Sequence, residues 1–205
     1  MKKLLLLLFL AIMILPGAAF AATYYISPTG NDGNSGSSAS PWGTFSGAFS
    51  RMSSGDTLIL KDGTYSQQIS AVPNGTSGAY TNIKAENNQK ATVRAGDALY
   101  LSGKSYIRIE GIKFNANGGG QAGTLAGADH IKIIRCSFTG STTSDWNIAT
   151  FSTTLCSYIL LEECLDQLHY PSIRNVATND GQHRAVWNTV KVRFEVGIHH
   201  LGVSC

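Results

Sequence analysis

The chain has 205 residues with 16 Lys and Arg against 13 Asp and Glu, a formal charge of +3, and this weak balance carries no nucleic-acid footprint. Charged residues make up only 14% while there are 22 glycines, which excludes a helical bundle with solvated faces and favours a turn-rich β protein. The length suits one domain rather than two.

The chain opens Met1-Lys2-Lys3, runs through apolar residues from Leu4 to Leu15 and reaches Pro16-Gly17-Ala18-Ala19-Phe20-Ala21. A basic start, an apolar run and a small-residue site describe a secretory signal peptide over residues 1–21, with cleavage expected after Ala21. The run falls short of the ~20 residues that span a bilayer, and no later segment does better. The expectation is an exported protein, secreted or periplasmic, with no membrane span after cleavage. Without Lys2 and Lys3 the formal charge falls to +1.

Ahead of residue 44 lies "SPTGNDGNSGSSASPWG", a long loop whose Gly, Asn, Asp and Ser suit tight bends. Asp32-Gly33-Asn34 has the look of a calcium loop, but Gly43 stands where an EF-hand needs its twelfth-position Glu, so a turn is expected. Residues 44–52, "TFSGAFSRM", put Phe45, Ala48, Phe49 and Met52 on one helical face. They predict a short helix that caps the open first edge of a stack of strands.

The strands of that stack form a repeat. "SYIRIEGIKF" (105–114), "DHIKIIRCSF" (129–138) and "SYILLEECL" (157–165) each show Ile-x-Ile alternation, or Ile-x-Leu in the third, that slips by one position before the next apolar pair. Such a slip is a corner between two short strands. Leading apolar residues at Leu58, Ile83, Ile107, Ile131 and Ile159 give steps of 25, 24, 24 and 28 residues, the period of a solenoid. Leucine-rich repeats are disfavoured because neither their Asn nor a helical return is present, and an antiparallel sandwich need not keep both spacing and corner. A parallel β-helix over residues 22–164 fits, with Ile on Ile and Phe on Phe inside.

The same alignment puts Ile112, Cys136 and Cys164 at one position. Neighbouring strands ~4.8 Å apart permit a disulfide by distance, while a ladder of buried small thiols is the simpler reading. The disulfide state of Cys136, Cys156, Cys164 and Cys205 stays open.

The stretch from "YYISPTGNDGNSG" through "GDTLILKDGTY" to "SYIRIEGIKF" resembles the N-terminal part of secreted right-handed parallel β-helix proteins of the pectate lyase-like superfamily. That group includes calcium-dependent pectate lyases and alginate and chondroitin lyases. The resemblance covers about residues 23–164 and rests on turns, cap and ladders. It implies an all-β, right-handed solenoid with a short N-terminal capping helix, and a polysaccharide lyase acting on, or binding, acidic glycan. In such enzymes a lysine or arginine removes the proton beside a uronate carboxylate, and calcium or a comparable cation stabilises the resulting charge. Calcium is thus the implied cofactor, a polysaccharide the implied partner and a monomer the expected state.

No catalytic, substrate-binding or metal residue transfers from that resemblance. The chemistry-bearing residues in the repeats are Asp129, Asp145, Lys113, Lys132 and the pair Glu162-Glu163, and a solvated rung surface accounts for each. Neighbours on a strand face opposite ways, so Glu162 and Glu163 cannot share one ion without a bend. A β-helical glycoside hydrolase would want closely placed aspartates, and neither an Asp-Asp pair nor Gly-His-Gly occurs.

Residues 165–205 hold His169, His183, His199 and His200 but no evident rung pattern. Two readings stand for this tail: an irregular final coil, or an aberrant end in a fragment whose natural counterpart continues. The leading functional expectation is therefore a protein of polysaccharide-lyase type, or an inactive fragment of one. Its alternative is a non-catalytic surface or adhesive solenoid that binds glycan. Asn74-Gly75-Thr76 is a formal glycosylation sequon with no role assigned.

Overall fold

A computed structural model describes residues 21–117 and 122–139, together with strands at 151–154, 157–162, 165–166, 173–176 and 191–193. Residues 1–20, the loop residues 118–121 and most of the tail lie outside this set.

Strands succeed one another with a single short helix among the described residues: β1 (Thr23–Ile26), α1 (Phe45–Phe49), β2 (Thr57–Leu60), β3 (Gly63–Tyr65), β4 (Thr81–Ala85), β5 (Ala91–Arg94) and β6 (Leu99–Tyr100). Two fuller coils come next, β7 (Ser105–Glu110), β8 (Ile112–Asn115) and β9 (Gly123–Ala126), then β10 (Asp129–Ile134), β11 (Ser137–Thr139) and β12 (Phe151–Thr154). The last strands are β13 (Ser157–Glu162), β14 (Leu165–Asp166), β15 (Ile173–Val176) and β16 (Lys191–Arg193). From β4 onward, every third strand returns to the same sheet. The sheets run β1-β2-β4-β7-β10-β13-β16, β14-β11-β8-β5-β3 and β15-β12-β9-β6. The named strands pair parallel throughout. The protein is a parallel β-solenoid, as the repeat requires.

The core is a set of columns along the axis. On the first sheet Ile107 faces Ile131 and Ile131 faces Ile159; beside them Ile109 faces Ile133. On the second sheet Tyr65, Val93, Phe114 and Phe138 line up, and the last two rings stack at 5.1 Å and 13°. All are buried. Cys136 is buried directly before Ser137, which faces Lys113, so it lies beside Ile112 as the alignment expects. Cys156, Cys164 and Cys205 lie outside the described residues.

One step of the expected spacing is corrected. Leu58 does face Ile83, but Ile83 faces Ile109, and Ile107 faces Thr81. The offset is two residues. A one-residue slip would turn the strand inside out, whereas a two-residue slip leaves the same side chains inward, so apolar periodicity is blind to it. The buried hydroxyl of Thr81 accepts a hydrogen bond from the Gly55 amide at 3.3 Å, which gives this polar residue a place in an aliphatic column.

The corner between β7 and β8 is Gly111 at φ +71°, and the equivalent corner after β10 is Arg135 at φ +51°. This left-handed turn is the phase slip of the sequence seen as geometry. It lets the chain change direction while Ile109 and Ile112 both stay inside.

The helix is shorter than the predicted 44–52. It ends at Ser50 after a turn and a half, with Gly47 and Ser50 offering little intrinsic helicity, while Met52 is still buried beyond it. Thr44 is the N-cap, accepting from the Gly47 amide at 2.9 Å. Asp32 holds the cap in turn: its carboxylate accepts from the Gly43 and Thr44 amides, each at 2.9 Å, and from the Thr44 hydroxyl at 2.5 Å. The turn expected at Asp32 is thus a helix cap in three dimensions. Phe45 packs against Phe49 and Tyr65, joining α1 to the core. Trp42 lies on Tyr24 and bridges to Ile26, covering β1 at the sheet's edge.

Partial burial pushes the Asp32 carboxyl upward, but its hydrogen bonds from Thr44 and Gly43 and the nearby Arg51 charge outweigh this and hold it below the usual carboxylate value. A depressed folded pKa contributes stability above the unfolded value, near ~4, and loses it as pH falls through the folded one. Asp32→Asn should therefore flatten the acid side of the stability profile below about pH 4, read by thermal melts across pH. Removing the Thr44 cap with Thr44→Ala should cost about 1 kcal/mol. Phe114→Ala should cost about 3–5 kcal/mol, and both losses are measured by urea unfolding.

Candidate functional site: the outward face of the first sheet

Alternation that buries one set of side chains turns the other set outward. Across β2, β4, β7, β10 and β13 the outward residues form two columns. The first is Thr57, Asn82, Arg108, Lys132 and Leu160. The second is Ile59, Lys84, Glu110, Ile134 and Glu162. Thr57, Asn82, Lys84, Arg108 and Glu110 line an open depression of about 350 Å³. Its cations are Lys84 and Arg108, with Lys132 on the next rung.

Glu110 is the organising carboxylate. One oxygen accepts from Arg108 Nε and Nη2 at 3.1 and 2.7 Å, and the other pairs with Nη2 of Arg135 at the next corner. The Glu110 side chain is 22% exposed and the two arginines about twice that, so the clamp sits at the solvent boundary. Gln89 braces it from the neighbouring side: its amide nitrogen donates to the Arg135 carbonyl, and its side-chain oxygen accepts from Ser137 at 2.9 Å. The clamp ties the Arg108 guanidinium to the carboxylate two residues on in its own strand.

At the start of the same strands runs a column of rings. Tyr80 meets Tyr106 edge-on at 5.6 Å, Tyr106 stacks on His130 at 4.5 Å, and His130 stacks on Tyr158 at 4.4 Å. Tyr106, His130 and Tyr158 all have left-handed backbones, with φ of 55°, 52° and 51°. That conformation costs a side-chain-bearing residue roughly 1–2 kcal/mol. Asp129 Oδ2 lies 2.7 Å from His130 Nδ1, and Lys132 reaches back so that its ammonium sits 4.3 Å from the Tyr80 ring centre. Burial, then the neighbouring Tyr106 and Asp129, raises the Tyr80 phenol above its ordinary value.

The sequence candidates separate in space. Lys132 and Glu162 belong to this outward face, and Asp129 stands at its edge on His130. Lys113 is exposed on β8, in the second sheet, and shares no surface column with Lys132. Asp145, Glu163 and the histidines 169, 183, 199 and 200 lie outside the described residues. Asn74 of the sequon accepts from the Ser105 amide at 3.2 Å, a structural role.

Lys84, Arg108, Glu110 and the ring column were missed. The ring column alone left a signal, since Tyr106 and His130 are 24 residues apart and His130 and Tyr158 are 28 apart, the same steps that the isoleucines make.

Calcium does not fit the described carboxylates. Glu110 is neutralised by two guanidiniums and Asp129 is engaged by His130. Among the described residues no three His, Cys, Asp or Glu side chains converge to hold a metal ion.

The architecture recurs in solved proteins. The chain is similar to the pectate lyase Pel9A, with TM-score 0.55 and 19% identity over 72% of this chain and 40% of that one. It is similar also to the GH136 lacto-N-biosidase of Eubacterium ramulus, with TM-score 0.57 and 16% identity over 71% of this chain and 34% of that one. A rhamnogalacturonan lyase gives TM-score 0.50 and 17% identity over 71% and 51%. At such identities the likeness establishes the β-solenoid fold alone. No family model matches the chain. A curated relative, the uncharacterized protein YwoF of Bacillus subtilis (strain 168), is 28% identical over 69 residues, 34% of this chain and 15% of its own length. The chain therefore spans at most about half the length of the proteins it resembles.

Glu110→Gln should release both guanidiniums and lower stability by about 1–2 kcal/mol, less than for a fully buried pair because water screens the cluster. Urea unfolding at low and high salt checks this, and the loss should shrink at high salt.

Proposed function

We propose that this chain is the coil-forming part of an exported carbohydrate-active protein that holds acidic polysaccharide along the outward face of its first sheet. The observation that carries the reading is the presence of Lys84, Arg108 and Lys132 on three successive rungs, at and beside an open depression. A polymer bearing a carboxylate on successive sugars meets cations at rung intervals there, and guanidinium and ammonium groups bind carboxylate by charge-assisted hydrogen bonds. Fold likeness to two lyases and a glycosidase supports a carbohydrate ligand by analogy. Among the described residues no helix is long and apolar enough to cross a membrane, which is compatible with export.

Turnover, if this chain performs it, would be β-elimination. A base takes the proton on the carbon beside the carboxylate, the electrons pass to form the carbon–carbon double bond, and the glycosidic oxygen leaves. Arg108 and Lys84 are placed to neutralise the carboxylate and so acidify that proton. A second reading, binding without turnover, is favoured by one feature: Glu110 already occupies Arg108, which leaves a positioned binding group rather than a free base.

The full chain should bind polygalacturonate with an affinity that falls steeply with salt, and Arg108→Glu should weaken it by about tenfold or more. Ultraviolet absorbance of unsaturated product on pectate, alginate and chondroitin, with and without calcium, separates the two readings. Binding without product supports the non-catalytic one, product supports the lyase, and neither binding nor product on any acidic glycan refutes both.

A further inference from the structure

We infer that the ring column Tyr80, Tyr106, His130 and Tyr158 is a second contact strip for the same acidic glycan, reading the sugar rings while Lys84, Arg108 and Lys132 beside it read their carboxylates. The inference rests on the proposed glycan-binding function and extends it to a surface that function does not use.

Three observations carry it. Tyr106, His130 and Tyr158 recur at one backbone position in three successive coils, each in a conformation that glycine or asparagine would adopt at less cost. Strain kept at three equivalent sites, with aromatic side chains each time, points to the side chains as its reason. Next, the strip is accessible: Tyr158 is 64% exposed, and Tyr106 and His130 are half-buried rather than sealed. Finally, the strip is continuous with the cations. Lys132 lies two residues after His130 and on the Tyr80 ring, and Arg108 lies two residues after Tyr106.

The chemistry suits a sugar and not a plain apolar partner. Stacking occupies ring faces and not ring edges, so the phenol hydroxyls, and the imidazole nitrogen that Asp129 does not engage, are the groups of this column able to partner sugar hydroxyls. The exposed ring of Tyr158 adds an apolar platform of the kind that pairs a flat ring with one polar end. An apolar protein partner would find cations bordering the strip, whereas a uronate chain matches rings and cations at once.

The test is calorimetric titration of the full chain with a defined oligogalacturonate, in low and high salt. Tyr158→Ala should weaken binding by about tenfold, and Tyr158→Trp should retain it. Tyr100→Ala, an exposed tyrosine on β6 of the third sheet, should bind as the parent does. The salt dependence should stay unchanged in Tyr158→Ala and become shallower in Arg108→Ala, because only the second removes a charge. Circular dichroism checks the fold of each variant, and Tyr158→Leu replaces the alanine variant if that one unfolds. Parent-like affinity in folded Tyr158→Ala or Tyr158→Leu, with Arg108→Ala still impaired, overturns the strip and leaves the cationic site standing. Absence of oligogalacturonate binding by the parent chain overturns both.

Discussion

The constraint on which the rest depends is that every coil must bring the chain back to the same register. Parallel strands ~4.8 Å apart can share a core only if equivalent side chains stack along the axis, since a one-residue error would expose an entire rung. Ile107 on Ile131 on Ile159, and Phe114 on Phe138, are the consequence. Gly111 and Arg135 satisfy the same constraint from the backbone side, turning the chain so that the inward set stays inward across the corner. The cap belongs to it too, because a first rung has no earlier rung to lie on. Asp32, Thr44 and the aromatic residues Phe45 and Phe49 supply that missing neighbour.

Fold and site were legible to different degrees for a physical reason. Burial selects strongly by residue type, so the inward columns were visible as recurring isoleucine and phenylalanine. Even there, the β4 partner of Ile107 is the polar Thr81 and not Ile83, and period alone cannot detect a shift that preserves the face. Outward positions tolerate many residue types, and Arg108 aligned with Lys132 and Asn82 looks like ordinary surface until the register is known. Lys113 and Lys132 looked equivalent in sequence, each coming directly after an isoleucine, yet the corner between them in each coil sends them to different sheets. The Glu110 clamp joins residues 25 positions apart and has no local sequence signature at all.

Inside and outside of the solenoid thus answer to different rules through one geometry. The core fixes the rung interval, and whatever lies outside inherits that interval without having to encode it. Ions that would be scattered on an irregular surface become columns, and so do the rings at the start of each strand. Glu110 then trims the field, pairing with Arg108 on its own strand and with Arg135 at the next corner.

Because Ser105 faces Asp129 with the chain having travelled once around, a coil is a module whose two ends are superimposable. Gene duplication of such a module would again set strand on strand and ring on ring. Lengthening the molecule would then lengthen its outer columns in equal increments. The length of the solenoid, and of every column on its surface, is in this way set by copy number rather than by point substitution.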